Sequence, residues 1–160
     1  MDIFAYAMQM EKDGETYYRE LAASTKNKGI KNILTMLADA EVIHYNIFQT
    51  MKRHEQIPGI DSKSLEGIKN IFARLKEDEP SRVDSTQVSL YRKAQDLEKK
   101  TLDFYLERAE ESKDEIEKTI FKRVANEERK HYLILENIID FVERPDTWLE
   151  NPEWYHLEDF

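Results

Sequence analysis

Apolar residues recur at three- and four-residue steps along four long stretches of the chain, the period of a helix face turned to a core. In the first stretch, from about Asp2 to Thr25, the line reads Phe4, Ala7, Met8, then Tyr18, Leu21 and Ala22. The run Asn27-Lys28-Gly29 predicts its end, with Gly29 as the left-handed residue of the turn. The second stretch, about Ile30 to Glu55, carries Ile30, Ile33, Leu34, Leu37, Phe48 and Met51 and stops at Ile57-Pro58-Gly59. The third begins near Asp84, where Asp84 and Gln87 have capping-box spacing, and carries Val88, Tyr91, Ala94, Leu102, Tyr105 and Ala109. The fourth begins near Asp114 with Glu117 three residues on, carries Ile116, Ile120, Val124, Leu135, Ile138 and Val142, and closes at Pro145.

The connections constrain how these helices assemble. The first and third links are only a few residues long, so each flanking pair is an antiparallel hairpin. The middle link, Gln56 to Val83, is long enough to run the length of a helix, about 36 Å for 24 residues. An all-α four-helix bundle with one long crossover follows. Ile68, Ile71, Phe72 and Leu75 have helical spacing, which places a short helix in that crossover. The expected organisation is a bundle over residues 1–144, with repeat halves at about 2–55 and 84–143 and the crossover at 56–83. An aromatic arm follows at 145–160, where Trp148, Trp154, Tyr155, Leu157 and Phe160 fall close together. That arm either packs on its own bundle or forms a contact in a homodimer.

Composition narrows the function. Four Gly and four Pro in 160 residues are too few for the turns of an all-β fold. A net charge of −9 with no basic stripe speaks against nucleic acid as partner. The absence of cysteine excludes disulfides, thiolate metal sites and thiol nucleophiles. No apolar run approaches a membrane span, and no secretory signal is visible at the N-terminus, so a cytoplasmic protein is expected.

Displaced by 87 residues, the chain registers on itself without a gap. Ala7 meets Ala94, Glu11 meets Glu98, Tyr18 meets Tyr105, Ile33 meets Ile120, Glu41 meets Glu128, His44 meets His131 and Tyr45 meets Tyr132. One hairpin is therefore repeated, and two copies pack about a pseudo-twofold axis. Some of the repeated residues stand where charge is unwelcome. Glu41 follows Leu37 by four and His44 precedes Phe48 by four, inside the apolar stripe, and Glu128 and His131 stand likewise between Val124 and Leu135. Glu11 and Glu98 fall on the lines Ala7–Tyr18 and Ala94–Tyr105. Each helix thus aims one Glu at the core, and two helices add a His on the same face at i+3.

Four ionised Glu bring −4 to that centre, and protonating both His returns only +2. Buried carboxylates must be paired or neutralised. Two divalent cations close the balance and leave both His neutral and able to ligate. Oxygen-rich donors with two imidazoles and no sulfur suit iron or manganese better than structural zinc. Expected cofactors are two iron ions, with manganese or a mixed Fe/Mn pair as alternatives. Tyr18 and Tyr105, two turns from Glu11 and Glu98, either hydrogen-bond the opposing Glu ligands or simply fill the core. His54, in a polar run, and His156, in the aromatic arm, belong to no donor set.

The order Glu, Glu-x-x-His, Glu, Glu-x-x-His is that of the ferritin-like di-iron carboxylate proteins, and in detail the chain resembles the rubrerythrin branch. The likeness is carried by Met10-Glu11-Lys12 with Tyr17-Tyr18, Ala40-Glu41-Val42-Ile43-His44, Leu97-Glu98-Lys99 with Phe104-Tyr105, and Glu127-Glu128-Arg129-Lys130-His131. It covers roughly residues 2–143. The resemblance implies Glu11 and Glu98 as terminal ligands, Glu41 and Glu128 as bridges through which the metals act, and His44 and His131 as one nitrogen ligand per metal. It implies a peroxidase reducing hydrogen peroxide, or dioxygen, at that centre. Rubrerythrins often carry a rubredoxin domain with four Cys; with no Cys here, a separate electron-donor protein is implied. The family's additional glutamate one turn along the third helix is missing, since Gln95 and Thr101 occupy that spacing. The alternatives are a ferroxidase that handles iron, or a non-catalytic bundle stabilised by its metals.

Overall fold

A computed structural model of the chain describes residues 2–53, 71 and 87–143. Four helices run through them: α1 (Ile3–Ser24), α2 (Lys28–Lys52), α3 (Val88–Glu111) and α4 (Glu115–Glu143). No strand occurs among the described residues. Three-residue links join α1 to α2 and α3 to α4, and these two hairpins make the most intimate backbone packing. Tyr17 of α1 reaches Leu90, and Tyr105 of α3 reaches Glu11, so α1 and α3 run antiparallel. α2 and α3 are therefore parallel, the arrangement that needs one long connection rather than a tight turn. The chain is an all-α, ferritin-like four-helix bundle.

The helix ends are set by side chains. Asp2 accepts from the Phe4 N–H at 3.0 Å and starts α1. Asn27 accepts from the Ile30 N–H at 3.0 Å and starts α2, which satisfies a donor the helix itself leaves orphaned. Gly29, expected as a left-handed turn residue, instead lies inside the first turn of α2. The chain leaves α1 through Thr25, an extended residue, and needs no left-handed position. Asp114 accepts from the Ile116 N–H at 2.8 Å at the start of α4. Gln87 stands at the start of α3 but makes no cap hydrogen bond. Its amide donates across the bundle to the Ser24 carbonyl at 2.8 Å and its oxygen accepts from Tyr91, tying the end of α1 to the start of α3. Asp84, the other half of the expected capping box, lies outside the described residues, as do the aromatic arm, His54, His156 and the crossover apart from Ile71. Ile71 is helical and packs on the core.

The core falls into two apolar clusters. One joins Leu21, Ile30, Leu34 and Leu37 to Tyr91, Ile138 and Phe141. The other joins Ala7, Phe48 and Met51 to Tyr105, Phe121 and Val124. The polar residues of the repeat lie between them in sequence on every helix. Ile116, expected in the apolar stripe of α4, is 64% exposed because it sits in the first turn, beyond the end of the second cluster. Phe121 takes up the packing instead, stacking on Phe4 with ring centroids 6.2 Å apart. No described helix is long and apolar enough to cross a membrane.

Leu34→Ala, at a fully buried position, is expected to lower unfolding stability by about 2–5 kcal/mol, and Ile116→Ala by no more than about 0.5 kcal/mol. Urea denaturation of the metal-free protein measures both.

Candidate metal centre

Glu11 of α1, Glu41 and His44 of α2, Glu98 of α3, and Glu128 and His131 of α4 meet at mid-bundle, each between 0% and 5% exposed. They form two overlapping groups of donors. Glu11, Glu41, His44 and Glu128 make one; Glu41, Glu98, Glu128 and His131 make the other; within each, the donor atoms lie within 4.8 Å of one another. Glu41 and Glu128 belong to both. All six residues singled out in the sequence are thus brought together, and Tyr18 and Tyr105 join them.

The contacts obey the pseudo-twofold of the repeat. Tyr105 donates to Glu11 at 2.6 Å, and its repeat mate Tyr18 donates to Glu98, the mate of Glu11. His44 Nδ1 lies 3.0 Å from Glu128 Oε1, and His131 Nδ1 lies 3.0 Å from Glu41 Oε1. Within each hairpin, His44 stands 3.5 Å from Glu11; across the second, His131 stands 3.3 Å from Glu98. The imidazoles stack with centroids 5.8 Å apart. Both tyrosines are therefore partners of carboxylates and also members of the apolar clusters.

Charge divides along the same symmetry. Burial works against ionising Glu11, but the neighbouring Glu41 carboxyl, His44 and the Tyr105 hydroxyl overcome it and hold Glu11 at about 2. Burial is likewise overcome at Glu98 by Glu128, His131 and Tyr18, which lower it. Burial, then the Glu11 and Glu98 charges, push Glu41 well up. Burial, then Glu11, Glu41 and Glu98, do the same to Glu128. Burial opposes a charge on His44, yet the Glu11 carboxylate, with Glu127 and Glu98, raises it. Burial and nearby carboxylates push both tyrosine hydroxyls upward, so they keep the protons they donate. Without metal, the fold therefore favours the ionised form of Glu11 and Glu98 and the neutral form of Glu41 and Glu128.

The residues fit a pair of cations. Glu11 Oε2, Glu41 Oε1, Glu98 Oε2 and Glu128 Oε2 are all buried without a hydrogen-bond partner; the approach of His131 Nδ1 to Glu41 Oε1 at 3.0 Å is not aligned as a hydrogen bond. An acceptor left so is costly, and a cation among the four supplies what each lacks. One orphaned oxygen per carboxylate, with an imidazole beside each group, makes this a candidate binuclear site. The donor chemistry favours iron or manganese.

Other residues shape the centre without standing out in the apolar pattern. A Cβ on Gly14 would lie 3.0 Å from Glu41 Oε2, so the α1 backbone approaches that carboxylate closely enough that any side chain there would push on it. The signal in the sequence was a glycine inside a helix, three residues after Glu11, where glycine is otherwise unfavourable. Glu127, buried and 3.4 Å from Lys130 Nζ, adds to the field on His44. Thr101 borders the cavity above Glu98 and Glu128, whereas Gln95 turns away to Glu136 at 2.7 Å.

Two measurements follow. Glu41 and Glu128, raised, favour the neutral form in the fold, so they cost stability as pH rises above the ordinary carboxylate range. His44, raised, stabilises below its unfolded value and loses that contribution as pH rises through its folded one; only Glu11 and Glu98, lowered, lose theirs on acidification. Metal requires the ligands deprotonated. The gain in Tm on loading a divalent ion should therefore widen from about pH 5 to about pH 8, as read by thermal denaturation of loaded and metal-free protein. Gly14→Ala should weaken metal binding by about tenfold, by displacing Glu41, while the metal-free Tm holds or rises because alanine is the better helix former. Calorimetric titration checks this.

The rubrerythrin family model matches residues 2–139 of the chain. No curated protein and no solved structure matches it. The match spans all four helices up to residue 139 and takes in every one of the six donors, and the chain belongs to the rubrerythrin family.

Proposed function

We propose that this protein holds two iron ions and reduces hydrogen peroxide, or dioxygen, as a rubrerythrin-like peroxidase. The observation that carries the reading is the sharing of Glu41 and Glu128 by both donor groups. Two metals held by shared carboxylates are close enough to act together. Glu11 and Glu98 would each hold one metal, Glu41 and Glu128 would be shared between the two, and His44 and His131 would give one nitrogen to each. Two ferrous ions supply two electrons, the number that cleavage of the peroxide O–O bond consumes. Electrons that restore the ferrous state come from a separate donor protein.

The chain's own groups do the rest. Tyr105 and Tyr18, each from the opposite hairpin, donate to Glu11 and Glu98 and fix their orientation. The apolar clusters at both ends keep bulk water from the bundle axis. Reactant reaches the centre between α1 and α3, where a cavity ends on Glu41, Glu98 and Glu128. Glu41 and Glu128 give up their protons as the metals bind.

Anaerobic loading with ferrous salt followed by peroxide should consume one peroxide for every two ferrous ions and produce ferric near-ultraviolet absorbance. A colourless protein retaining unreacted ferrous iron would overturn the reading. Glu41→Gln and Glu128→Gln should reduce metal content and bring peroxide consumption to background. They should leave the metal-free Tm nearly unchanged, because the fold already favours the neutral form of both carboxyls.

A further inference from the structure

The cavity between α1 and α3 encloses about 250 Å³ and is walled by Tyr6, Met10, Tyr17, Leu97 and Phe104. Hydrogen peroxide and dioxygen need far less room, since a water molecule's share of volume is about 30 Å³. A dry apolar cavity of about 150 Å³ is enough for a benzene ring. The space beside the metal centre therefore matches a single substituted ring.

The walls are set in place before any ligand arrives. The Tyr17 hydroxyl donates to the Leu90 carbonyl at 2.8 Å, and Lys93 Nζ lies 5.8 Å from its ring centroid. Phe104 packs at 5.0 Å against the tilted ring of Tyr6, with the Arg108 guanidinium 5.4 Å from its own centroid. Fixed aromatic faces and edges favour another ring, offset or edge-on, and Met10 adapts to its outline. Tyr6 and Leu97, 47% and 40% exposed, stand at the mouth.

The floor selects differently. It consists of Glu41, Glu98 and Glu128, with oxygens Glu41 Oε1, Glu98 Oε2 and Glu128 Oε2 lacking hydrogen-bond partners. The bare backbone at Gly14 and the small Thr101 leave that floor within reach. Asp13 and Lys100 also line the cavity and offset each other in charge, so the acidic floor decides: its carboxyl oxygens accept an O–H and disfavour an anion, and the chain's net charge of −9 adds to that. A ligand here is apolar along its flanks, uncharged, and tipped with a hydroxyl.

We propose that the α1–α3 cavity binds a neutral, single-ring aromatic molecule bearing a hydroxyl group, its ring between Tyr17 and Phe104 and its hydroxyl toward the carboxylate floor. This names an organic ligand for the site of the proposed function. It rests on that reading only for the ligand's use beside the metals, because the walls and the orphaned oxygens exist without them.

The test uses the full chain, metal-free and loaded with redox-silent zinc, titrated with 4-methylphenol, toluene and 4-methylbenzoate by calorimetry and protein-observed NMR. One 4-methylphenol should bind per chain, about tenfold tighter than toluene. The benzoate should bind at least about tenfold more weakly than the phenol. Leu97→Trp, a change at the exposed mouth, should abolish phenol binding and leave zinc content and Tm unchanged. The proposal is overturned by an absence of saturable phenol binding to the metal-free chain, by toluene or benzoate binding to it as tightly, or by undiminished binding to Leu97→Trp. It is also overturned if the cavity resonances respond to rising protein concentration and not to phenol, which would make a second copy of the chain the occupant. Zinc uptake without phenol binding refutes this proposal alone; phenol binding without metal uptake refutes the metal reading alone.

Discussion

Four carboxyl groups packed into the dry middle of a helical bundle set the terms for everything around them. A carboxylate leaves water only if something else solvates it, and here each of the four keeps a buried oxygen without a partner. The metal-free fold meets the problem by protonation. Burial and like charge favour the neutral form of Glu41 and Glu128, while histidine and tyrosine donors favour the ionised form of Glu11 and Glu98. The apolar clusters on either side then do what the centre cannot, and stabilise the bundle. The helices fold around a layer that is costly when empty of cations, and the same cost would favour cations within it.

Repetition of one hairpin explains how the layer closes. Tyr18 and Tyr105 each donate to the glutamate of the opposite hairpin, and each histidine lies closest to the carboxylate that the other hairpin's final helix supplies. A single hairpin holds Glu11 near His44 but has no partner for the second half of either donor group. The centre therefore exists only once α1 and α2 have docked on α3 and α4. Metal binding and the packing of the two halves draw on the same contacts, so they are linked thermodynamically.

Much of this was legible in the chain. A glutamate standing in an apolar stripe at helical spacing is a contradiction that only burial among donors or cations resolves, and its recurrence after 87 residues located the centre without coordinates. The tyrosines were harder, because periodicity alone reads a tyrosine on an inward face as packing, and Tyr18 and Tyr105 in fact pack and donate at once. Local turn chemistry misled at Gly29, where Asn27 had already supplied the cap that shapes the link. At Ile116 the period continued past the end of the core it describes. Gly14 could not be read from a hydrophobic pattern at all, since its role is a close approach between a backbone and the Glu41 carboxylate on another helix.

The same repeat that matches the donors leaves their surroundings unequal. Gly14 corresponds to Thr101, so one carboxylate faces bare backbone while its mate faces a side chain whose hydroxyl donates to its own helix at 2.9 Å. Ala40 corresponds to Glu127, which is buried and adds its charge beside His44 with no equivalent beside His131. Met8 corresponds to Gln95, which fastens α3 to the Tyr132 carbonyl at 3.2 Å. Symmetry is thus kept where six side chains must converge and abandoned one residue further out, where shape and charge decide what can approach. Two metals bound by matching ligands would stand in different fields, and the approach between α1 and α3 meets them from one side of the bundle.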